Sequence, residues 1–91
     1  MNILKKADEI VNERSEEKDR MYGNFDDSMD RTRDIFNAMT GKVMTTEDMY
    51  YVVIALKFAR LQHSYQEDSM LDITAYIGGL NNYIQNKNKI L

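Results

Sequence analysis

Apolar residues recur at helical spacing along most of the chain, in four segments. Ile3, Leu4, Ala7, Ile10 and Val11 fall at three-and-four intervals with Lys5, Lys6, Asp8 and Glu9 opposite them, which predicts an amphipathic helix over about 2–13. Residues 12–20 carry almost nothing apolar and alternate in charge sign, the pattern of a solvated helix extension or loop. Gly23 can take a positive φ, and Asn24 can cap a second helix whose Asp27 sits near the positive end of the dipole. That helix, over about 24–40, groups Phe25, Met29, Ile35, Phe36, Ala38 and Met39 on one face. It leaves Asp30, Arg31, Arg33 and Asp34 for solvent and stops at Gly41.

Thr45 and Asp48 stand at the spacing of a reciprocal cap, so a third helix is expected over about 46–62. Residues 49–61 are apolar on nearly every side and include Val52, Val53 and Ile54. Length, cap and the helical spacing of Lys57 and Arg60 favour helix over strand. A helix apolar all round is expected at the centre of a fold. Leu71, Ile73, Tyr76, Ile77, Leu80, Tyr83 and Ile84 predict a fourth helix over about 67–85, with the polar run 86–89 expected to fray. Gly78 and Gly79 inside it cost on the order of 1 kcal/mol each against alanine. The expected compensation is close approach of a helix or a ligand along Asp72, Ala75 and Gly79. With no repeat, proline linker or low-complexity tract, the chain reads as all-α: a single-domain antiparallel four-helix bundle.

Composition narrows the class. Ninety-one residues, 43% hydrophobic and 30% charged, suit one small domain and are too few for two. Seven Met, six Tyr and three Phe with no Trp give an adaptable core, and some of these side chains are expected in a subunit interface, so a homo-oligomer is anticipated. The absence of Cys excludes a disulfide, a catalytic thiol and a thiolate metal site; a single His excludes an all-imidazole zinc site within one chain. No apolar run reaches membrane-spanning length and the N-terminus lacks a signal-peptide pattern, so a cytoplasmic protein with no membrane partner is expected. A net charge of −3 gives no general attraction to nucleic acid.

Candidate chemistry concentrates between Lys57 and Asp72. Lys57 and Arg60 stand three apart on one helix, Asp68 and Asp72 four apart on the next, so each pair shares a face. The seven residues 61–67 are few enough for a helical hairpin that brings cations to carboxylates. The four charges are then either an ion-pair network that fixes the hairpin or a polar pocket for a charged ligand. His63 reads as a turn residue, since no nucleophile or oxyanion arrangement accompanies it.

Ile10-Val11-Asn12, Arg14, Tyr22-Gly23-Asn24-Phe25, Thr45-Thr46-Glu47-Asp48, Leu56-Lys57-Phe58-Ala59-Arg60-Leu61 and the run from Asp68 to Tyr76 together resemble a small domain common in bacteriophages. That family is in turn similar to the MazG-like all-α nucleoside triphosphate pyrophosphohydrolases. The phage family usually carries an Arg a few residues before Asp-Tyr-Gly, whereas here a charged insertion separates Arg14 from Tyr22-Gly23 and Met21 stands where that Asp would be. For catalysis the resemblance implies Mg²⁺ held by a Glu-Glu-x-x-Glu run and a Glu-x-x-Asp on the following helix. Glu16-Glu17 lacks the third Glu in register, which leaves Asp68 and Asp72 as metal candidates and Mg²⁺ as a cofactor only if the protein is a hydrolase. Binding without turnover asks for less: Lys57, Arg60 and Arg14 for phosphates, Tyr22, Tyr76 or Phe25 to stack on a base. The expected function is that of a non-catalytic nucleotide-binding protein of phage type. It would take a phosphate-bearing nucleotide or a nucleotide-derived signal, including one a host uses against phages. The alternatives are a Mg²⁺-dependent pyrophosphohydrolase and a helical interaction module that inhibits a host protein through a Met- and Tyr-rich face.

Overall fold

Asn2 opens the first helix as its N-cap: its Oδ1 accepts hydrogen bonds from the backbone N–H of Leu4 at 2.9 Å and of Lys5 at 3.3 Å, filling two of the donors a helix start leaves orphaned. The computed structural model describes residues 2–12 and 25–90. Four helices follow in order: α1 (Ile3–Asn12), α2 (Phe25–Thr40), α3 (Thr46–His63) and α4 (Glu67–Ile90), with no strand among the described residues. The described residues therefore form an all-α single-domain four-helix bundle, as the periodicity predicts. The expected cap at Asn24, and Arg14 and Tyr22, lie outside the described residues.

Local chemistry accounts for the ends. Gly41, at φ 72°, donates its N–H to the Asn37 carbonyl at 2.9 Å and closes α2 in the left-handed region that glycine enters without penalty. Asn37 then clamps the connection, its Nδ2 donating to the Met44 carbonyl at 3.0 Å and its Oδ1 accepting from the Met44 N–H at 2.9 Å. Thr45 Oγ1 accepts from the Asp48 N–H at 3.1 Å while Asp48 Oδ2 accepts from the Thr45 N–H at 2.9 Å, the reciprocal cap expected from the spacing. α4 continues to Ile90, past the anticipated end at Gln85, because no Gly or Pro follows Gly79 to interrupt it.

Packing assigns the helices different roles from those the pattern implied. α4 is the shared partner: α1 and α3 lie along it and α2 touches it. α3 is expected at the centre, yet among the described residues it packs on α2 and α4 and keeps one side exposed. Its buried residues lie in the first turns, where Met49 and Tyr50 join Met29 of α2 in a core lined by Phe36, Met44, Val53, Tyr76, Leu80 and Tyr83. Tyr51, Val52, Leu56 and Phe58 remain exposed.

α2 also departs from its pattern. Met29 is buried and Phe36 half-buried, whereas Ile35 is 60% and Met39 80% exposed. Asp30 and Arg33, expected in solvent, turn toward α3. The reason is spacing: Asp26, Asp30, Arg33 and Asn37 fall at i, i+4, i+7 and i+11 and share one helical line. Each of them meets α3 or the connection leading into it.

Candidate functional site

The hairpin between α3 and α4 forms as its length requires: residues 64–66 separate the helices, and the Ser64 N–H caps α3 by donating to the Arg60 carbonyl at 3.2 Å. Antiparallel descent then sets Lys57 of α3 against Asp72 of α4. Lys57 Nζ lies 3.0 Å from Asp72 Oδ2, the two side chains being 18% and 41% exposed. A half-covered ion pair of this kind is screened less than one in open solvent, and loss of either partner leaves a charge in a poorer dielectric.

The other two charges of the junction are not drawn in. Arg60 and Asp68 are both exposed, and neither has an ion-pair partner among the described residues. The four side chains thus occupy one hairpin, with one pair closed and one cation and one carboxylate open on its surface. Tyr76, one turn beyond Asp72, packs its ring against the Met29–Met49–Tyr50 core. That packing leaves it only partly exposed, so it offers a base less ring surface than an open tyrosine would.

As a Mg²⁺ site, Asp68 and Asp72 fit poorly. Asp72 Oδ2 is already taken by the Lys57 ammonium, whose charge opposes a second cation. Among the described residues no group of three or more Asp, Glu or His stands close enough together to hold a metal ion.

A second polar cluster, not singled out from the sequence, joins α2 to the start of α3. Thr46 is its node: buried at the first position of the helix, it donates from Oγ1 to Asp30 Oδ1 at 2.6 Å and accepts from Arg33 Nη1 at 2.8 Å. Arg33 also reaches Asp30 at 3.5 Å and Asp34 at 2.9 Å; the hydrogen bond to Asp34 raises its guanidinium further above its already high value. One turn into α3, the Tyr50 hydroxyl donates to Asp26 Oδ1 at 2.7 Å. Burial first, and then that bond, push the Tyr50 phenol well above the ordinary tyrosine range. Among the described residues no buried side-chain nitrogen or oxygen lacks a partner. The signal for this cluster was present in the i, i+4, i+7 recurrence of Asp26, Asp30 and Arg33, but charged residues at that spacing read equally well as a solvated face.

A cleft of about 260 Å³ lies between α1 and α4, lined by Ala7, Asp8 and Asn12 on one side and Thr74, Gly78 and Asn82 among others on the opposite one. Asn82 Nδ2 donates to Asn12 Oδ1 at 2.9 Å, and Asn12 Nδ2 to Asp8 Oδ1 at 2.7 Å, so its polar wall is already internally bonded. Among the described residues, none of those anticipated as ligand contacts lines it. Gly78 faces Val11, whose Cγ2 would stand 3.7 Å from an added Cβ. The close approach expected at the glycine pair is therefore ordinary van der Waals contact at Gly78, while Ala75 and Gly79 on the same helix are buried.

No helix among the described residues is long and apolar enough to cross a membrane. No curated protein and no solved structure matches the chain. One family model does match, over residues 2–84, and it is described as a domain of unknown function, DUF6378. Because that match takes in all four helices down to the last turns of α4, the chain belongs to the DUF6378 family.

Proposed function

We propose that the protein is a non-catalytic binding module for a phosphate-bearing nucleotide or nucleotide-derived signal, taken at the α3–α4 hairpin. The observation that carries this reading is Arg60: an exposed guanidinium with no ion-pair partner among the described residues, one helical turn from a lysine that Asp72 holds in place at 3.0 Å. A guanidinium free to offer its planar fork suits a phosphate, and an oriented ammonium beside it adds a second contact without a large ordering cost. Asp68, exposed at the start of α4, offers carboxylate oxygens that would accept hydrogen bonds from ribose hydroxyls. The likeness to phage domains and to MazG-like hydrolases supports a nucleotide as the ligand class. Binding takes precedence over hydrolysis because Asp72 is engaged by a cation rather than open to a metal.

The test is a thermal-shift screen against nucleoside mono-, di- and triphosphates, cyclic nucleotides and ADP-ribose, each with and without Mg²⁺. A ligand that binds is expected to stabilise the protein by about 2.7 kcal/mol at one hundred times its dissociation constant. Arg60→Ala should abolish that stabilisation and leave the helical circular dichroism of the unliganded protein unchanged. Absence of a shift with every compound, or a shift that survives Arg60→Ala, overturns the assignment. Pyrophosphate release that is lost in Asp72→Asn would establish the hydrolase instead.

A further inference from the structure

We infer that the exposed face of α3 is an interface with a second copy of the chain, the two α3 helices packing antiparallel about a two-fold axis at Ala55. Tyr51, Val52, Leu56 and Phe58 are each between 47% and 51% exposed, and Ala55, Ala59 and Gln62 are exposed beside them. These seven positions form one stripe at i, i+4 and i+7 spacing, and none of them is charged. Lys57 leaves that stripe for Asp72 on the opposite side of the helix.

Three features select a second copy running the other way. The first is shape: a two-fold axis at Ala55 sets Tyr51 of each copy over Ala59 of the other, so that large side chains meet small ones and the helix axes can approach to about 8 Å. The second is charge. α3 begins with Glu47 and Asp48 and ends with Arg60 and His63, so antiparallel pairing brings the acidic turn of one copy to the basic turn of the other and opposes the two macrodipoles. Parallel pairing would superpose like charges at both ends. The third is area. Half of four large side chains plus the two alanines amounts to on the order of 500 Å² per copy, with the polar ends bringing it toward the ~800 Å² per partner of a standard interface. That suits an isologous dimer of moderate affinity.

The chain has no cysteine, which permits a direct test of both face and direction. Sedimentation of the full chain at 100 µM should give twice the chain mass, and Ala55→Glu, which sets two carboxylates against each other on the axis, should give a monomer with unchanged helical circular dichroism. Ala55→Cys should form a disulfide-linked dimer on mild oxidation. Gln62→Cys should not, because antiparallel pairing holds the two copies of residue 62 about 20 Å apart along the axis. A monomeric wild type overturns the proposal, whether or not some other protein binds the face. A dimer in which Ala55→Cys fails to link overturns this face, and linkage as efficient through Gln62→Cys as through Ala55→Cys overturns the direction.

Discussion

The Tyr50 hydroxyl and the Asp26 carboxylate, 24 positions apart, meet at 2.7 Å and tie α2 to α3 where Tyr50 is fully buried and its ring tilts against Tyr83 at 6.0 Å. The phenol is held protonated well above its ordinary value by burial and by that bond. The sign follows from linkage: above about pH 10 the unfolded chain gives up this proton while the folded one keeps it. The stability contribution is fully present below that pH and is lost as pH rises through it toward the higher folded value. Thermal melts between pH 8 and pH 11.5 should therefore fall more steeply for wild type than for Tyr50→Phe. Parallel slopes would refute the linkage. At neutral pH the same substitution should cost about 1.5 kcal/mol, the low end for a bond to a charged group, because half-exposed Asp26 can recover water.

Thr46 joins an aspartate and an arginine through one hydroxyl, so Thr46→Val should cost more than a single surface bond. Chemical denaturation is expected to show a loss of about 2 kcal/mol, since two partners lose a contact in a buried setting. The same substitution made on top of Asp30→Ala should cost clearly less. Strict additivity would mean that the three groups do not act as a unit.

The Lys57–Asp72 pair is neither open nor dry, and its worth lies between those limits. A double-mutant cycle with Lys57→Met and Asp72→Asn should give a coupling of about 1 kcal/mol that weakens with added salt. Lys57→Met with Asp72→Leu should recover much of the stability lost in either single variant, because apolar replacement of both partners removes two desolvated charges together. A coupling indistinguishable from zero at low salt would show that the contact contributes nothing to the hairpin.

The two helix-associated glycines should respond in opposite directions. Gly78→Ala places a Cβ in ordinary contact with Val11 and should raise stability by roughly 0.5–1 kcal/mol through helix propensity. Gly41→Ala meets open space but must hold φ at 72°, and should lower it by about 1 kcal/mol. Urea midpoints of the two variants measure both; a destabilising Gly78→Ala would mean that the α1–α4 contact has no room to give.

The sequence disclosed helices wherever local rules act alone. The reciprocal cap at Thr45 and Asp48 and the stop at Gly41 depend on neighbours within a turn or two, and the short connection between α3 and α4 forces the hairpin. Which face turns inward was legible only where apolar residues were the ones buried, as at Ala7 and Met29. On α2 the inward line is polar, Asp26 to Asn37, and its hydrogen-bonding partners on α3 could not be known from α2 itself. On α3 the uninterrupted apolar pattern indicates burial on all sides, but the described helices cover only one side of it. Within the candidate site, the meeting of the cations of α3 with the carboxylates of α4 was expected from spacing, but which cation pairs with which carboxylate depended on packing. The openness of Arg60 and the commitment of Tyr76 to the core depended on packing.

The helix on which the other three assemble is also the one that leaves the ribosome after them. The Asn12–Asn82 bond alone spans 70 positions, and ring closure of that size must precede any reward from the α1 contact. Until the final third of these residues is synthesised, Ala7, Met29 and Met49 have no complete shelter, and the nascent chain presents sticky surface to whatever chaperone waits at the exit tunnel. Emergence of α4 is therefore the step at which this domain can become native.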